Sequence, residues 1–380
     1  MQEIYLDYAA ATPVDERVLE AMLPFFTQHY GNPGSLHVQG QNAAAAVQKS
    51  RQSIAKLLSC FSNEIIFTGS GTESVNLALQ GVALSLKHKG NHIITQATEH
   101  HAVLHTLQHL ESQGFSVTYL KPDRFGLITP EQVAAFITSK TILCSVMYAN
   151  NEIGTIQPIK QIAQVCQKSN VLFHSDACQA AGLLPLNVRE LGVDLLSLDS
   201  SKVYGPKGIG LLYVRSGVQL TSLLFGGEQE SKHRPGTENV AAIIGFAKAL
   251  EISELFCKQE VSRLIELRDF FVKELLALGC TLNGHPINRL ANNVSVIFPH
   301  CEAESFVLRL SEHGICASTG SACTSRTMKS SHVLAAIGLS QDKSHAAVRF
   351  TLGRYTTREE IAQTLKIVKE LVRPVKVLAC

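Results

Sequence analysis

The sequence predicts an α/β architecture: a mainly parallel sheet covered by helices on both faces, with a smaller α+β domain appended. Short apolar runs of strand length alternate with longer amphipathic stretches over roughly the first 250 of the 380 residues. Those runs are apolar at successive positions rather than at every second one, as befits strands buried on both faces of a parallel sheet. Beyond that point the alternation gives way to one long helical stretch and then a mixture of strands and helices.

In chain order the strand-like runs are "EIIFTG" (64–69), "NHIIT" (91–95), "SVTYLK" (116–121), "TILCSVMY" (141–148), "VLFHSDA" (171–177), "LLSLD" (195–199) and "GIGLLYV" (208–214). Helical patterns fill 42–59, 72–86, 100–113, 130–138 and 158–168 between them. The long helical stretch covers about 239–277. It is followed by "NNVSVIF" (292–298), a helical 302–314, "AVRFTLG" (347–353) and a final helix over about 357–372. The expected division is a large domain over 15–255 and a small one built from 1–14 and 256–380. At 45% hydrophobic and 17% charged, the chain has the apolar content for two cores.

The formal net charge of +2, with no basic block and no acidic tail, points to no nucleic-acid partner. No apolar run reaches membrane-spanning length, and "MQEIYLDYAA" does not read as a signal peptide, so a cytoplasmic location with no membrane contact is expected. None of the ten cysteines forms a CxxC pair. In a reducing compartment most of them act as small buried hydrophobes, as Cys144 and Cys166 in their apolar frames would. No Cys/His spacing matches a zinc set, so no metal is expected.

Ligands of open parallel sheets lie at the carboxyl ends of the strands, and the polar motifs of this chain fall there. In "SSKVYGPKGIG" (200–210), Lys202 follows a strand and precedes a Gly/Pro-rich turn. A loop lysine is ordinarily a surface residue, but one half-buried at a strand end can condense with an aldehyde cofactor. Lys207 is the competing candidate, inside the turn. In "HSDACQAAG" (174–182), Asp176 suits the nitrogen of a pyridine ring and equally suits a helix N-cap; Gln179 could reach the same side. "FTGSGTES" (67–74) is a glycine-rich turn into a helix, where backbone N–H groups near Gly71 and the Thr72 hydroxyl would face an anion. "TEHHAVLHT" (98–106) supplies His100 and His101 as flat groups. Lysine, acid, anion cradle and flat group are together the requirements of a pyridoxal 5′-phosphate site. Cys323, in "STGSACTS" (318–325), stands apart from the other cysteines because small and hydroxyl residues frame it.

With "YLDYAAATP" (5–13), "YGNPGSLH" (30–37), "YANNEIGTIQP" (148–158), "RPGTEN" (234–239) and "VRFTLGRYTT" (348–357) added, these motifs run nearly end to end. In them the chain resembles a cysteine desulfurase of the class V aminotransferase family, in the group that serves iron–sulfur cluster assembly. The resemblance implies fold type I and pyridoxal 5′-phosphate as cofactor. It implies that Lys202 carries the cofactor, Asp176 faces the ring nitrogen, Gln179 the ring oxygen, and His100 stacks on the ring and handles protons. Gly71 and Thr72 would hold the phosphate, joined by Thr237 from a neighbouring subunit, which implies a homodimer with shared active sites. Asn151 would lie by the ring and the substrate carboxylate, and Arg349 would clamp that carboxylate. L-cysteine would give L-alanine, its sulfur passing to Cys323 as a persulfide and then to a protein or small-thiol acceptor. The readings left beside this one are a weakened homologue that acts by partner binding, and another activity of the family such as selenocysteine lyase or aminotransferase.

The chief departure from the family pattern precedes Lys202, beside milder ones in the reordered turn "TGSGTE" and at Val75. Asp199 stands where a serine is usual, and Ser201 where the family has a histidine that donates to the phosphate; the Ser201 hydroxyl could still donate there over a shorter reach. A carboxylate within ~4–5 Å of a phosphate dianion repels it by a few kcal/mol at an effective dielectric of ~20. Asp199 therefore turns away, carries a proton, or weakens cofactor affinity.

Overall fold

The computed structural model describes residues 3–299, 301–319 and 331–372. Cys323 and Cys380 lie outside the described residues. The strands are β1 (Ile4–Tyr5), β2 (Ile65–Thr68), β3 (His92–Gln96), β4 (Ser116–Leu120), β5 (Thr141–Ser145), β6 (Leu172–Asp176), β7 (Leu195–Asp199), β8 (Gly210–Val214), β9 (Thr281–Leu282), β10 (Asn293–Ile297), β11 (Ile315–Cys316) and β12 (Ala347–Thr351).

Seven of them form the main sheet in the order β2-β8-β7-β6-β5-β3-β4. The pairs from β7 through β6, β5 and β3 to β4 are all parallel. The apolar runs are buried along their whole length in β2, β3 and β5, which is why they carry no period-two pattern. β8 is the exception, antiparallel to both β7 and β2. The link from β7 to β8 is too short for a crossover helix, so the chain must return antiparallel. That short link is the segment holding Lys202.

Helices Val38–Leu58, Gly71–Leu86, His101–Ser112, Ile159–Lys168 and Val240–Ala277 pack around the sheet. Ser70 caps Gly71–Leu86 by accepting from the Glu73 N–H, and that helix buries Val75, Leu79 and Val82. The predicted strand over 141–148 stops at Ser145, because the Met147 N–H leaves the ladder to donate to the Glu99 carboxyl at 2.6 Å.

The C-terminal part builds a three-stranded antiparallel sheet, β12-β10-β9, and the parallel pair β1-β11. A separate apolar cluster unites Ile4, Leu6, Phe271, Leu275, Phe298, Phe306, Val348 and Phe350, with Phe271 and Phe350 edge to face at 5.1 Å. Helix Val240–Ala277 serves both cores: Phe246 and Leu250 belong to the cluster under the main sheet, Phe271 and Leu275 to this one. The N-terminal segment crosses back to join it through the Ile4–Ile315 and Tyr5–Cys316 pairs. The two-residue strands are absent from the sequence reading, since so short a run has no periodicity and exists only through its partner.

Candidate active site

The turn between β7 and β8 is held from three directions. The Asp199 side chain caps the short helical turn Ser200–Lys202. Tyr204 adopts the left-handed backbone conformation at φ 64°, and its N–H donates to Thr12 Oγ1 at 2.8 Å. Its hydroxyl accepts from the Arg354 N–H at 2.6 Å. Lys202 thereby faces the N-terminal segment and donates to the carbonyls of Ala9 at 3.1 Å and Ala10 at 2.5 Å. Lys207 sits exposed in the same turn and does not line this site.

A cavity of about 210 Å³ opens at these strand ends. Of the residues singled out from sequence, Gly71, Thr72, His100, Asn151, Asp176, Gln179, Lys202 and Arg349 line it. Asp176 ends β6 and accepts from the Cys178 N–H at 3.0 Å. The next helix starts only at Val188, so Asp176 caps no helix. Gln179 donates to the Ala9 carbonyl at 3.0 Å, beside Lys202.

His100 is the N-cap of helix His101–Ser112; its Nδ1 accepts from the Ala102 N–H at 3.1 Å, which leaves Nε2 as the protonated nitrogen of the neutral ring. Burial pushes its pKa down, and the Asp176 charge opposes the shift. Arg349, 2% exposed, donates to the Asn151 carbonyl at 2.9 Å and pairs with Asp7 at 2.7 Å.

On both flanks of the Cys323 segment the chain bonds to residues that line this cavity. Ser318 exchanges two backbone hydrogen bonds with Arg349, at 2.7 and 3.0 Å. On the far side Ser331 donates to Glu152 at 2.5 Å, and His332 donates to the Glu99 carbonyl at 2.8 Å. His332 and Glu152 both line the cavity.

Thr237, expected to serve a neighbouring subunit, and Ser201 do not line this cavity. Thr237 lines a different cavity, with Gly69 and Arg234. Ser201 is not among the lining residues; its N–H and hydroxyl both donate to Asp199 Oδ1, at 2.8 and 2.6 Å. Asp199 has not turned away. Its Oδ2 accepts from the Gly71 N–H at 2.8 Å, at the start of helix Gly71–Leu86.

Sequence reasoning missed Glu99, Cys178, Glu152 and His332. Glu99 is fully buried, and burial raises its carboxyl pKa to about 8 against the hydrogen bond from Met147. Its one sequence signal is its place beside His100. Cys178 touches the cavity, but burial holds its thiol well above the ordinary value, which disfavours its thiolate. His332 stacks edge-on against His101 at 4.6 Å, and burial with neighbouring imidazoles lowers the His101 pKa to about 4. No described helix is long and apolar enough to cross a membrane, and the described residues hold no cluster fit for a metal ion.

The donor set suits pyridoxal 5′-phosphate. An amine, a carboxylate for a ring nitrogen, an imidazole, an amide and a guanidinium surround one cavity. Gly71 is part of the fit: a Cβ there would come within 2.6 Å of Cys178 Sγ and 3.1 Å of Asp199 Cβ.

Comparison with known proteins agrees. Residues 4–364 match the family described as aminotransferase class-V. A cysteine desulfurase IscS of Dictyoglomus turgidum is 46% identical over 100% of this chain and 96% of its own length. One from Methanosarcina thermophila is 47% identical over 98% of this chain and 93% of its own. A solved structure described as a NifS-like protein superposes with a TM-score of 0.93 at 37% identity, covering 98% of this chain and 99% of that one. Another, described as SspA in complex with cysteine, gives 0.84 at 37% identity over 93% and 100%. In sequence, fold and the residues gathered at its strand ends, the chain belongs to the class-V aminotransferase family, among its pyridoxal 5′-phosphate-dependent cysteine desulfurases.

Proposed function

We propose that this chain converts L-cysteine to L-alanine and takes the sulfur onto Cys323 as a persulfide, for delivery to a protein or small-thiol acceptor. The balance is closed: the substrate's C–S bond breaks, an S–S bond forms at Cys323, and the thiol proton of Cys323 ends on alanine. The observation that carries this reading is convergence. Lys202, Asp176, His100 and Arg349 line one cavity, and the residues flanking the Cys323 segment are hydrogen-bonded at its wall.

When bound, pyridoxal 5′-phosphate supplies the electron sink that weakens bonds at the substrate's α-carbon. Lys202 would hold it, Asp176 would keep a proton on its ring nitrogen, and Gln179 would reach its ring oxygen. His100, neutral at ordinary pH because burial lowers its pKa, would stack on the ring and move the substrate's Cα proton through Nε2. Arg349 and Asn151 would fix the substrate carboxylate. The Asp7 pair and the Asn151 carbonyl hold the Arg349 guanidinium in place beforehand, which limits the entropy lost on binding. Gly71 and Thr72 would take the phosphate, joined by Ser201 only once its hydroxyl leaves Asp199.

A homodimer with shared sites fits the position of Thr237, apart from its own chain's Lys202 cavity, and the exposure of Phe225 and Leu36 at 90% and 91%. A cytoplasmic setting fits the described cysteines, all of them free. Separate apolar clusters support division into 15–255 and 1–14 with 256–380. The test is turnover of L-cysteine with pyridoxal 5′-phosphate, measuring alanine and sulfide. Equal amounts from the wild type and neither from Cys323→Ser support the reading. Full sulfide release from that variant overturns it, and pyruvate in place of alanine shows a different fate for the substrate.

A further inference from the structure

The Asp199 carboxylate is fully engaged, and its partners are chain groups read above as phosphate ligands. Oδ2 takes the Gly71 N–H; Oδ1 takes the Ser201 N–H and hydroxyl. The Gly71 N–H is among the first of its helix and has no acceptor within it, so an anion there also meets the positive end of the helix dipole. The glycine permits the approach, since a Cβ at 71 would lie 3.1 Å from Asp199 Cβ and 3.3 Å from Oδ2. Asp199 also lines the cavity with Lys202, so its charge faces the same space as the proposed cofactor site.

We infer that Asp199 is an internal stand-in for the cofactor's phosphate: it accepts from the donors of the phosphate cradle and competes for them with any phosphorylated ligand. The inference rests on the reading of Gly71 and Ser201 as phosphate ligands. A carboxylate and a phosphate cannot share these donors without like-charge repulsion at contact distance. Binding of the phosphate therefore requires Asp199 to swing off and release both groups. Asp199 is a specificity-determining residue: it lowers the advantage of phosphorylated over unphosphorylated cofactor.

The test separates charge from capping. Cofactor-free wild type, Asp199→Asn and Asp199→Ser are titrated with pyridoxal 5′-phosphate and, separately, with pyridoxal. The readout is the absorbance band of the lysine-bound cofactor (~400–430 nm). Asparagine keeps an acceptor for Ser201 and removes the charge. Both variants should bind the phosphorylated form at least about tenfold more tightly, while pyridoxal affinity stays within about twofold. Inorganic phosphate should raise the thermal midpoint of the variants more than that of the wild type. Unchanged or weaker binding of the phosphorylated form, or equal tightening for both ligands, overturns the inference and leaves the function intact. If neither ligand gives a band with any protein, wild type included, the reading of Lys202 fails, and the inference falls with it.

Discussion

Glu99→Gln isolates the most perturbed carboxyl beside the site. Glu99 is fully buried, and Oε1 accepts from the Met147 N–H at 2.6 Å and from Gln96 at 2.9 Å. Those bonds favour the charged form, but desolvation outweighs them and raises the pKa from 4.5 to about 8. The sign follows: a folded-state pKa above the unfolded one gives stability that is complete below the unfolded value and is lost as pH rises toward the folded value. At about 1.4 kcal/mol per pKa unit, the loss from about pH 4.5 to about pH 8 is roughly 3–5 kcal/mol. Glutamine keeps the acceptor oxygen for Met147 and has no proton to lose. Urea denaturation from about pH 5 to about pH 9 should show the wild type losing roughly 3–5 kcal/mol relative to the variant. Comparing the two proteins cancels other titrating groups, including His100 and His101, whose lowered pKa values act in the opposite direction. Parallel pH curves for wild type and variant would refute the reasoning, because Glu99 would then titrate alike folded and unfolded.

Two further outcomes follow from the geometry. Gly71→Ala puts a Cβ 2.6 Å from Cys178 Sγ, so the variant should lose about 1–3 kcal/mol, with part of the loss recovered on adding Cys178→Ala; a double-mutant cycle by denaturation measures this. Arg349→Lys keeps the charge but cannot hold Asp7 and the Asn151 carbonyl in one plane, so KM for L-cysteine should rise about tenfold or more with cofactor affinity nearly unchanged, read from steady-state kinetics and cofactor titration.

Much of the site was legible because chemistry follows where the apolar runs end. Lys202 and Asp176 come just after or at the ends of β7 and β6, and His100 starts the helix that follows β3. The length and the ends of each apolar run mark such places. The reversal of β8 shows in the short link between the two runs and not in the strand's composition, on which the reading of a mainly parallel sheet rested. The partners that decide how each group behaves were not legible. Lys202 rests on carbonyls at Ala9 and Ala10, Asp199 on an N–H at Gly71, and His332 on the carbonyl of Glu99, all far away in sequence. Periodicity reports which face of a segment is buried and says nothing of which distant segment will meet it. Ser201 illustrates the point: its hydroxyl, read as a shorter-reaching phosphate donor, is committed to Asp199.

The central claim is that Cys323 receives the substrate's sulfur at the cavity lined by Lys202. Mass spectrometry of the Cys323 peptide, after the cofactor-loaded protein is mixed with L-cysteine and quenched by alkylation, tests it most directly. The account predicts a gain of one sulfur atom on Cys323 in the wild type and none in Lys202→Ala. Sulfur on another cysteine with Cys323 unmodified, or an equal gain on Cys323 without Lys202, would contradict it.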